Sequence, residues 1–343
     1  MEKTYIVTGG TGFVGNNVVK ALVSGGAAVR TLVRSKEKAD TALKGIKVEL
    51  FFGDVRDRNA VTKLFDGLEN REIVFIHTAS VVLIGGNSRE YKTMDDQNYN
   101  GVKNIIEACL ARKARLVYVS SVHAITEPPQ NRLTTETECF DPRSVAGKYA
   151  KSKARASALV MDAVKNQGLD AVIVHPSGII GPNDYSDTHL TRVIMGYMEK
   201  RIIAAVDGGY DFVDARDVAS GILKAAEKGK TGDCFLLTNK YYSIMEMFAM
   251  LREIIGGKKI VLKLPMWLAY FSLPFLSAYF IIRGKRPLYT AYSLYTLKSN
   301  SNFSHEKASR ELGYSPRGLR ESLADTVAFI NEHIIKKPQN QKL

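Results

Sequence analysis

Tyr149 and Lys153, four positions apart in the stretch GKYAKSKA, are residue types that together could transfer a proton. If the stretch is helical, residues four apart lie on one face, and the ammonium lies beside the phenol. A free tyrosine has a pKa of ~10, and a neighbouring cation favours the phenolate and lowers that pKa. Such a phenol suits a proton donor that works near neutral pH. The alternative is a solvated helix face that carries a tyrosine by chance, and the surrounding elements decide between the two.

Two serines, Ser120 and Ser121, end the strand-like stretch RLVYVSS. In a parallel sheet, ligands bind at the carboxyl ends of the strands. A serine hydroxyl at that edge can hydrogen-bond the carbonyl oxygen of a substrate. His123 follows two positions later, and we interpret it as a pocket-wall or structural histidine rather than an acid. The same caution applies to His77 and His175, which lie at strand ends.

The stretch VTGGTGFVG (7–15) directly follows a strand-like segment and opens a helical one. Its glycines fit the spacings Gly-x-Gly-x-x-Gly and Gly-x-x-Gly-x-x-Gly, which permit a tight turn and close backbone approach to a pyrophosphate. The helix that begins there offers unpaired N–H groups and the positive end of its dipole. A glycine-rich turn without a ligand is the alternative. The position between strand and helix predicts a dinucleotide site, whose candidate residues are Gly9, Thr11, Gly12, Phe13, Val14 and Gly15.

The end of the second strand-like stretch, AVRTLVR, indicates which dinucleotide binds. An acidic residue there would bind the ribose hydroxyls of NAD. The chain instead has Arg34, followed by Lys38, and a guanidinium can hold a 2′-phosphate with two hydrogen bonds. We therefore predict NADP, with NAD kept as an alternative, although an ordinary basic surface loop would also carry these residues. Asp54, at the end of the third strand, is placed to accept a hydrogen bond from the adenine amino group, with Val55 beside it.

The elements that must position these residues alternate between short apolar strands and helical segments. Such alternation predicts a parallel sheet with crossover helices. The fold class is therefore α/β, a doubly wound Rossmann sheet of about seven strands. Helical segments are expected at Gly101–Lys113 and Ala146–Asn166. The predicted strands are 4–9, 28–34, 47–54, 72–79, 115–121, 169–176 and 234–238.

The regular alternation stops after His175. We predict that residues 1–175 and 212–239 form the NADP-binding Rossmann domain. A small C-terminal substrate lobe is expected from residues 176–211 and 240–330, and it would cover the carboxyl edge of the sheet. Residues 331–343 are predicted to be a tail, disordered over KKPQNQKL.

The overall composition is that of an ordinary globular protein: 343 residues, 45% hydrophobic and 24% charged. The three cysteines are far apart, show no metal-binding spacing and favour a reducing compartment. The N-terminus runs straight into a strand, so we expect no signal peptide and a cytoplasmic location. The net charge of +13 is compatible with nucleic acid, an anionic membrane or a phosphorylated ligand. The lysines are scattered and no nucleic-acid motif is present, so nucleic-acid binding is not expected.

The uncharged stretch LPMWLAYFSLPFLSAYFII (264–282) is as long as a membrane span. Pro265 and Pro274 interrupt it, and the basic cluster RGKR (283–286) follows. We interpret it as two short helices that wall an apolar substrate pocket. The alternative is an interfacial helix pair, with peripheral membrane contact through residues 264–286. A true span is the least favoured interpretation. Both leading interpretations predict an apolar or lipid-like small-molecule substrate.

Taken together, the motifs resemble those of the extended short-chain dehydrogenases/reductases. That family carries a Gly-x-x-Gly-x-x-Gly turn, a serine ahead of a Tyr-x-x-x-Lys pair, and a small C-terminal lobe. The resemblance extends from Tyr5 to about Phe329. It implies hydride transfer from NADPH to a carbonyl carbon, with Tyr149 as proton donor and Ser121 orienting the carbonyl. Lys153 is implied to lower the pKa of the tyrosine and to hold the nicotinamide ribose.

The same resemblance assigns further residues. Ser121 fits the position of the family's serine better than Ser120, which stays a substitute. Asn98, in QNYNGVKNIIEAC, corresponds to a helix asparagine that supports the active-site geometry or a water relay. The segments HTAS (77–80) and HPSGIIGP (175–182) correspond to parts of the family that line the cofactor. The neighbours implied there are Ala79, Pro176 and Ile179.

This chain lacks residues that are typical of two branches of the family, and this argues against the functions of those branches. Nucleotide-sugar dehydratases usually have an Asp-Glu pair beside the active serine or threonine, where this chain has Val122 and His123. Sugar epimerases usually have an acid where Arg34 stands, and an asparagine in the segment that here runs from His175 to Gly181 without one. The remaining resemblance is to the dihydroflavonol reductase, aldehyde reductase and 3β-hydroxysteroid dehydrogenase branch. It is carried by TLVRSKEKA and by LGYSPRGLRESLADTVAFI near the C-terminus.

We therefore predict an NADPH-dependent reductase of an apolar or aromatic ketone or aldehyde, or the reverse alcohol oxidation. The candidate catalytic residues are Ser121, Tyr149, Lys153 and Asn98, with no metal. One alternative is an NAD-dependent nucleotide-sugar epimerase or dehydratase. Another is a non-catalytic dinucleotide-sensing protein, although such relatives generally lose the tyrosine or the lysine. Family members often pair through the two long helices beside the sheet, so a homodimer is also expected.

Overall fold

A seven-stranded parallel sheet lies at the centre of the computed structural model. The model describes residues 2–83, 86–202, 204–256, 260, 262–282 and 290–335, with the backbone alone at 277–282. All seven predicted strands are present, with ends within about two residues of those expected. In chain order the strands are β1 (Lys3–Thr8), β2 (Ala28–Val33), β3 (Glu49–Phe52), β4 (Glu72–His77), β5 (Arg115–Val119), β6 (Ala171–Pro176) and β10 (Cys234–Leu237).

The strand order is β3-β2-β1-β4-β5-β6-β10, which confirms the doubly wound fold. The chain moves outward from β1 to β3 and then returns to the other side of β1 at β4. At this switch point the connections diverge and leave a crevice beyond the carboxyl ends of β1 and β4. The candidate cofactor residues follow these strand ends, so the topology brings them to one edge of the sheet.

Two helical layers cover the sheet, because its strands are apolar on both faces. Successive side chains of a strand point to opposite faces. Ile6 therefore packs in the core beside α4 and α5, whereas Tyr5 and Val7 pack in the core beside α1 and α7. The helices of this domain are α1 (Phe13–Ser24), α2 (Lys36–Ala42), α3 (Arg58–Lys63), α4 (Ser88–Arg112), α5 (Lys148–Gln167) and α7 (Ala215–Lys228).

The helix predicted at Gly101–Lys113 is only the C-terminal half of α4. The helix begins at Ser88, because Asn87 and Glu90 form a capping box in which each side chain bonds the other residue's backbone N–H. The first half of α4 is largely polar and lacks a continuous apolar stripe. It nevertheless positions Asn98, because the buried second half fixes its direction.

The small lobe contains two sheets and several helices. One sheet has the order β11-β9-β7, and the other pairs β12 with β8. A 3₁₀ turn at Val122–Ala124 connects β5 to the loop beneath this lobe. The lobe and C-terminal elements are β7 (Gly178–Ile180), α6 (His189–Met198), β8 (Ala204–Val206), β9 (Gly209–Asp214), β11 (Lys240–Ser243), α8 (Ile244–Ile255), β12 (Leu262–Leu264), α9 (Met266–Ile282), α10 (Ala291–Lys298), α11 (Glu306–Leu312) and α12 (Leu319–Ile330).

The lobe boundaries differ in detail from those expected. The proposed division between residues 211 and 212 falls inside β9, which pairs with strands of the lobe throughout its length. Helix α11 packs on the Rossmann side, where Ala308 and Leu312 join the core beside α7. Residues Asn331–Ile335, predicted as the start of a tail, continue α12 as a π-helical turn. The segment 336–343 lies outside the described residues.

Buried ion pairs connect α12 to the beginning of α7. Asp214 is fully buried and accepts hydrogen bonds from the backbone and side chain of Arg216, whose guanidinium also reaches Asp325 at 2.7 Å. Arg317, just before α12, pairs with Asp217 at 2.9 Å. These contacts satisfy charges that would otherwise be costly to bury. They hold the C-terminal helix in place near the small lobe.

Helix α9 differs from the expected pair of short helices. It is one continuous helix, Met266–Ile282, and Pro265 precedes it. Pro274 lies within the helix, where it removes one backbone N–H donor without ending the helix. Trp267, Phe271 and Phe275, spaced four residues apart, are 70%, 66% and 68% exposed. Over the described ranges, no helix combines the length and apolar character needed to span a bilayer. The basic cluster 283–286 lies outside the described residues.

Candidate active site

The glycine turn after β1 brings three chain segments into close contact. Gly9 has a φ of +80°, and a Cβ there would lie 2.8 Å from both the amide nitrogen of Ala79 and Oγ1 of Thr78. A Cβ on Gly15 would lie 2.1 Å from the carbonyl oxygen of Gly9. Only glycines permit this approach of α1 to the ends of β1 and β4. Ala79, predicted as a cofactor neighbour, therefore lies against the glycine turn.

The first turn of α1 has the features of an anion site. Gly12 is the N-cap and has no side chain with which to satisfy the first-turn N–H groups. Those donors and the positive end of the helix dipole suit a pyrophosphate. Phe13 is buried and Val14 packs into the core, so these two predicted cofactor residues could contact a ligand only through their backbone. Thr11, in the turn, is half-buried. The turn fits a dinucleotide.

Basic residues lie at the end of β2, as the NADP prediction requires. The Arg34 side chain is 58% exposed, donates from Nη1 to Oε1 of Gln97 at 2.9 Å, and lies 4.0 Å from Asp54. Lys38 is exposed on α2, whose N-cap Ser35 accepts from the Lys38 amide. Gln97, which orients the Arg34 guanidinium, was not predicted. It lies in the polar first half of α4, which contains no motif that would have indicated this contact.

The Asp54 carboxylate already has a protein partner. Arg56 donates to Oδ1 from both its amide and Nε at 2.9 Å, and to Oδ2 from Nη2 at 3.1 Å. Burial acts to raise the pKa of Asp54, but Arg56 holds it below its usual value. The predicted bond from an adenine amino group would therefore share an oxygen with Arg56. Val55 is buried beneath α4, where Gly101 leaves room for its side chain.

Asn98 anchors the segment that follows β4. Its Oδ1 accepts from Ser80 Oγ at 3.1 Å and from the Val81 amide at 2.9 Å, and its Nδ2 donates to the Val81 carbonyl at 3.1 Å. This segment begins at Ala79, beside the glycine turn, and Val81 packs in the small cluster that contains Tyr149. Of the two predicted roles, these contacts support that of maintaining the site geometry.

The structure distinguishes between the two serines after β5. Ser120 Oγ is buried and bonded to Ser157 Oγ of α5 at 2.7 Å. The Ser121 hydroxyl instead accepts from the His123 amide at 3.3 Å and acts on the Tyr149 phenol, whose pKa it lowers against the effect of burial. His175 Nδ1 lies 3.1 Å from the Ser121 carbonyl oxygen, to which it donates in the corresponding tautomer. Ser121, the predicted residue, is therefore the one placed beside the tyrosine, and His175 helps to hold its backbone.

Tyr149 and Lys153 lie on the buried face of α5, close to its N-terminus. Tyr149 is 8% exposed and Lys153 is 3% exposed. Gly147, the N-cap, has a φ of +93°, which turns the chain sharply into the helix. Lys153 Nζ donates to the Val119 carbonyl at 2.9 Å and lies 5.1 Å from the ring centroid of Tyr118. The lysine is thus fixed at the end of β5, one helical turn from the tyrosine.

The prediction that the pKa of Tyr149 is lowered is wrong. Burial raises the pKa of Tyr149 to about 12, and the Ser121 hydroxyl only partly opposes this. Burial also lowers the pKa of Lys153 to about 7. The ammonium therefore loses its charge readily and does not outweigh the cost of moving a phenolate out of water. The sequence showed that the residues share a helix face, but not that both are buried.

The remaining predicted cofactor residues lie at the ends of neighbouring strands. Pro176 is the last residue of β6, and Ile179 is in β7, where it pairs with Val213 of β9. Ile179 is half-buried and packs against the core beside α7. Both follow the carboxyl end of the main sheet, on the side where the topology leaves the crevice.

His123 stands in an aromatic wall beside Tyr149. Its ring centroid lies 6.3 Å from that of Tyr149, 5.7 Å from that of Tyr210 and 5.8 Å from that of Tyr292. Burial lowers the pKa of His123 to about 4, so the imidazole is neutral at pH 7. Tyr210, whose pKa burial raises well above its usual value, donates to His123 Nε2 at 3.0 Å. A neutral histidine committed to this bond is part of a wall rather than an acid.

His123 also lines a cavity of about 300 Å³. Its volume is at the lower end of the range for small-molecule sites. Apolar and aromatic groups make up much of its lining, with Glu127 and Arg143 among the charged ones. Glu127 is itself held by the Tyr295 hydroxyl at 2.8 Å. The aliphatic and aromatic residues of the lining include Val122, Ile125, Val145, Tyr210 and Phe303, and His123 lies between this cavity and Tyr149.

Comparison with known proteins assigns the chain to a family. Residues 5–237 match the model of the NAD dependent epimerase/dehydratase family. The chain belongs to this family. It is an extended short-chain dehydrogenase/reductase, an NAD(P)-dependent oxidoreductase, as the resemblance of the motifs had indicated. The match covers the glycine turn, both serines, the Tyr149–Lys153 pair and β10.

Two curated relatives are similar over nearly their whole length. Sterol demethylase protein B of Methylococcus capsulatus is 32% identical, over 96% of this chain and 98% of that protein. The putative dihydroflavonol 4-reductase of Synechocystis is 31% identical, over 99% of this chain and 98% of that protein. Among solved structures, the crystal structure of gox2253 superposes with a TM-score of 0.81 at 29% identity, over 96% and 98% of the two chains.

Proposed function

We propose that the protein is an NADPH-dependent reductase of apolar or aromatic ketones and aldehydes. The observation that carries this proposal is the convergence of Ser121, Tyr149 and Lys153 at one edge of the sheet, near a cavity lined by both polar and apolar groups. The glycine turn lies at the same edge. A bound nicotinamide supplies or accepts the hydride, and the protein must then supply the proton and hold the carbonyl.

The candidate catalytic residues have separate tasks in this proposal. Tyr149 gives its hydroxyl proton to the carbonyl oxygen as the carbonyl carbon gains the hydride, so that a ketone becomes a secondary alcohol. Ser121, whose hydroxyl acts on the phenol, orients the oxygen toward it. Lys153, one helical turn away, stabilises the phenolate that results in the fraction of molecules in which its amine is protonated, and its pKa of about 7 makes that fraction fall as the pH rises above 7. Asn98 acts as a positioning residue through the Ser80–Val81 segment.

The proposed substrate class follows from the cavity lining. The lining mixes polar groups with aliphatic and aromatic side chains such as Val122, Ile125 and Phe303, and its His123 is neutral. A charged sugar nucleotide would leave its phosphates near few basic groups of that lining, of which Arg143 is one. The names of the two relatives mention a sterol and a dihydroflavonol, both of which contain rings. These names support, for this chain, a ring-containing ketone.

The test of the proposed function is reduction by the purified chain with NADPH. We would follow NADPH absorbance with cyclic, aromatic and steroidal ketones and aldehydes, and with nucleotide sugars as the contrasting class. Reduction of at least one apolar carbonyl compound supports the proposal. Conversion of a nucleotide sugar with tightly retained NAD, and no reduction of any carbonyl compound in the panel, would establish the epimerase alternative instead.

Arg34→Gln is expected to lower kcat/KM for NADPH by about tenfold and to change that for NADH by less than twofold. The guanidinium at the end of β2 is more than half exposed and can hold a 2′-phosphate, which NADH lacks. The measurement is steady-state kinetics with both cofactors. The control is Arg310→Gln, which removes an equally exposed arginine from α11. Equal losses with both cofactors would contradict the NADP assignment.

We also propose peripheral membrane contact through the exposed face of α9. Trp267, Phe271 and Phe275 form an aromatic stripe on one face, and aromatic residues favour the membrane interface. The chain carries a net charge of +13, which favours anionic lipid. The sequence predicts membrane contact through the longer stretch 264–286. Within that stretch, this aromatic stripe is what supports the contact.

Replacing Trp267, Phe271 and Phe275 together by serine is expected to reduce binding to phosphatidylcholine–phosphatidylserine vesicles by at least about tenfold. Co-sedimentation measures the bound fraction, and Phe52→Ser, which removes an exposed aromatic from β3, is the control. Equal sedimentation of all variants would contradict the proposal. A fall in the solution mass of the triple variant, without lipid, would show that a second copy of the chain covers this face.

A further inference from the structure

Asp211 is a fully buried carboxylate where the small lobe meets the main sheet. It lies in β9, which pairs with β7 and β11 of the lobe. Its Oδ1 accepts from the Ser177 hydroxyl, and the Asn239 amide donates to Oδ1 at 3.0 Å and to Oδ2 at 3.2 Å. Ser177 follows Pro176, the last residue of β6, and Asn239 lies two residues beyond β10. One carboxylate therefore connects the lobe to the carboxyl ends of two strands of the main sheet.

The strands that this carboxylate connects also carry groups of the candidate active site. The residue before Asp211 is Tyr210, which points to the opposite side of β9 and donates to His123 in the aromatic wall. On the β6 side, His175 Nδ1 lies 3.1 Å from the Ser121 carbonyl oxygen. Asp211 thus fixes the relative positions of two segments that support the site, although its own side chain does not reach the site.

A neutral side chain could not make the same contacts as this carboxylate. Both oxygens of Asp211 face the Asn239 amide, so an asparagine would turn its own N–H group toward that donor. Hydrogen bonds to an ionised acceptor are also roughly twice as strong as those to a neutral one. Burial raises the pKa of Asp211 from 3.8 to about 6, and the bonds from Ser177 and Asn239 act against that rise. The carboxylate is therefore ionised at pH 7.5 and largely protonated at pH 5.

Several ionisable groups lie on the elements that pack against β9. The charge of Asp211 acts on Tyr210 and Tyr314, and burial raises the pKa of each well above its usual value. Burial also raises the pKa of Tyr241, the partner of Asp211 in β11, and lowers that of His175 to about 4. The pKa of Asp211 therefore lies between pH 5 and 7.5, and those of these four neighbours lie outside that range. The other ionisable groups there are the ion pairs Asp214–Arg216, Asp325–Arg216, Asp217–Arg317 and Glu321–Arg317 of α7 and α12, Lys240 over the Tyr242 ring of β11, and Tyr292 of α10, whose pKa burial raises.

We infer that Asp211, in its ionised form, is a positioning residue that holds residues 176–179 in the geometry that binds the dinucleotide, and that its protonation weakens this binding. The inference rests on the proposed function, because that function places the cofactor against Pro176 and Ile179. Asp211 is not a catalytic residue, since its carboxylate is taken up by Ser177 and Asn239. The affinity for the cofactor then depends on pH through a group outside the Tyr149–Lys153 pair.

The test compares wild type and Asp211→Asn in the binding of NADP⁺, measured by calorimetry at pH 5.0 and 7.5. At pH 7.5 the variant is expected to have a Kd about 3- to 10-fold higher than the wild type, and at pH 5.0 the difference is expected to fall below about twofold. The ratio of the two Kd values removes the titration of the 2′-phosphate and of Lys153, which both proteins share. The control is Asp233→Asn, which removes a carboxylate bonded to Lys307 just before β10 and is expected to give a ratio near one at both pH values.

A purely structural role of Asp211 predicts a different pattern. Because its pKa is higher in the folded chain than in the unfolded one, the wild type loses stability relative to Asp211→Asn as the pH rises from 5 through 6. The inference expects the affinity of the wild type relative to the variant to increase over the same range. Urea midpoints at both pH values therefore separate the two roles, since a carboxylate that acts only on the fold would move affinity and stability in the same direction.

The inference is overturned if the ratio of Kd values stays the same at both pH values, or if Asp211→Asn binds NADP⁺ as tightly as the wild type at pH 7.5. If that variant does not fold, Ser177→Ala removes the hydroxyl donor and is expected to weaken binding at pH 7.5, whereas Ser177→Thr keeps the donor and the affinity. NADPH oxidation with the carbonyl panel separates the two proposals. A pH-dependent ratio without oxidation refutes the reductase and keeps the positioning role, whereas oxidation with a ratio of one refutes the positioning role alone.

Discussion

Tyr149→Phe is expected to lower kcat for carbonyl reduction by about 10²- to 10⁴-fold, the usual contribution of a positioned acid. The variant keeps the ring, which packs with Leu83 and Met94, and removes only the hydroxyl. Because the pKa of Tyr149 is about 12, the group is protonated at neutral pH and ready to donate. The loss should therefore appear in kcat at all pH values from 6 to about 9.

The measurement is NADPH oxidation with the best substrate of the carbonyl panel, alongside NADPH binding by fluorescence. Binding of NADPH is expected to change by less than about threefold, since the phenol does not hold the pyrophosphate. Tyr99→Phe is the matched control, because Tyr99 lies on α4 with Arg155 stacked on its ring at 4.4 Å. A variant that keeps more than a fifth of the wild-type rate would show that the proton comes from another group.

Much of the fold was readable from the sequence because the central strands are buried on both faces. A segment such as EIVFIH is apolar almost without interruption, and helical segments regularly separate these runs. The N-terminal half of α4 was missed, because it lacks an apolar stripe. Its capping box, Asn87 with Glu90, is a local signal that the sequence does contain.

Those site residues that follow strand ends or share a helix turn could be predicted from the sequence. Ser121, Tyr149 and Lys153 meet for that reason. Contacts from the small lobe were not accessible, because Tyr210 and Tyr292 reach the site from distant segments and belong to no motif. The direction of the Tyr149 pKa shift could not be predicted from the sequence either. It depends on burial, which results from packing against Leu83 and Met94, in the segment after β4 and in α4, rather than from local spacing.

Lys153→Met is expected to lower kcat/KM by at least about 10²-fold, because it removes the cation placed to stabilise the Tyr149 phenolate. The two side chains have similar length and stem volume, so the replacement preserves most of the packing. The lost contact is the hydrogen bond from Nζ to the Val119 carbonyl. Lys151→Met, an exposed position on the same helix, is the control and is expected to keep its activity.

The same variant is expected to change how stability depends on pH. Burial lowers the pKa of Lys153 from 10.5 to about 7, so the unfolded chain binds more protons than the folded one between those values. Wild-type stability therefore gains a contribution as the pH rises above 7, and the full cost of the buried charge is present below it. Relative to Lys153→Met, the wild type should gain about 1–2 kcal/mol in unfolding free energy between pH 6.5 and 8.5.

Urea unfolding of both proteins across that range measures the difference, and Lys151→Met should show no such trend against the wild type. His77, on which the charge of Lys153 acts, does not disturb the comparison. Burial lowers the pKa of that histidine to about 3, far below the range measured. A difference between wild type and Lys153→Met that stays constant with pH would mean that the lysine is not buried as a titrating group. In that case the amine of Lys153 would not be held beside the Val119 carbonyl. The proposed stabilisation of the Tyr149 phenolate by Lys153 would then also be wrong.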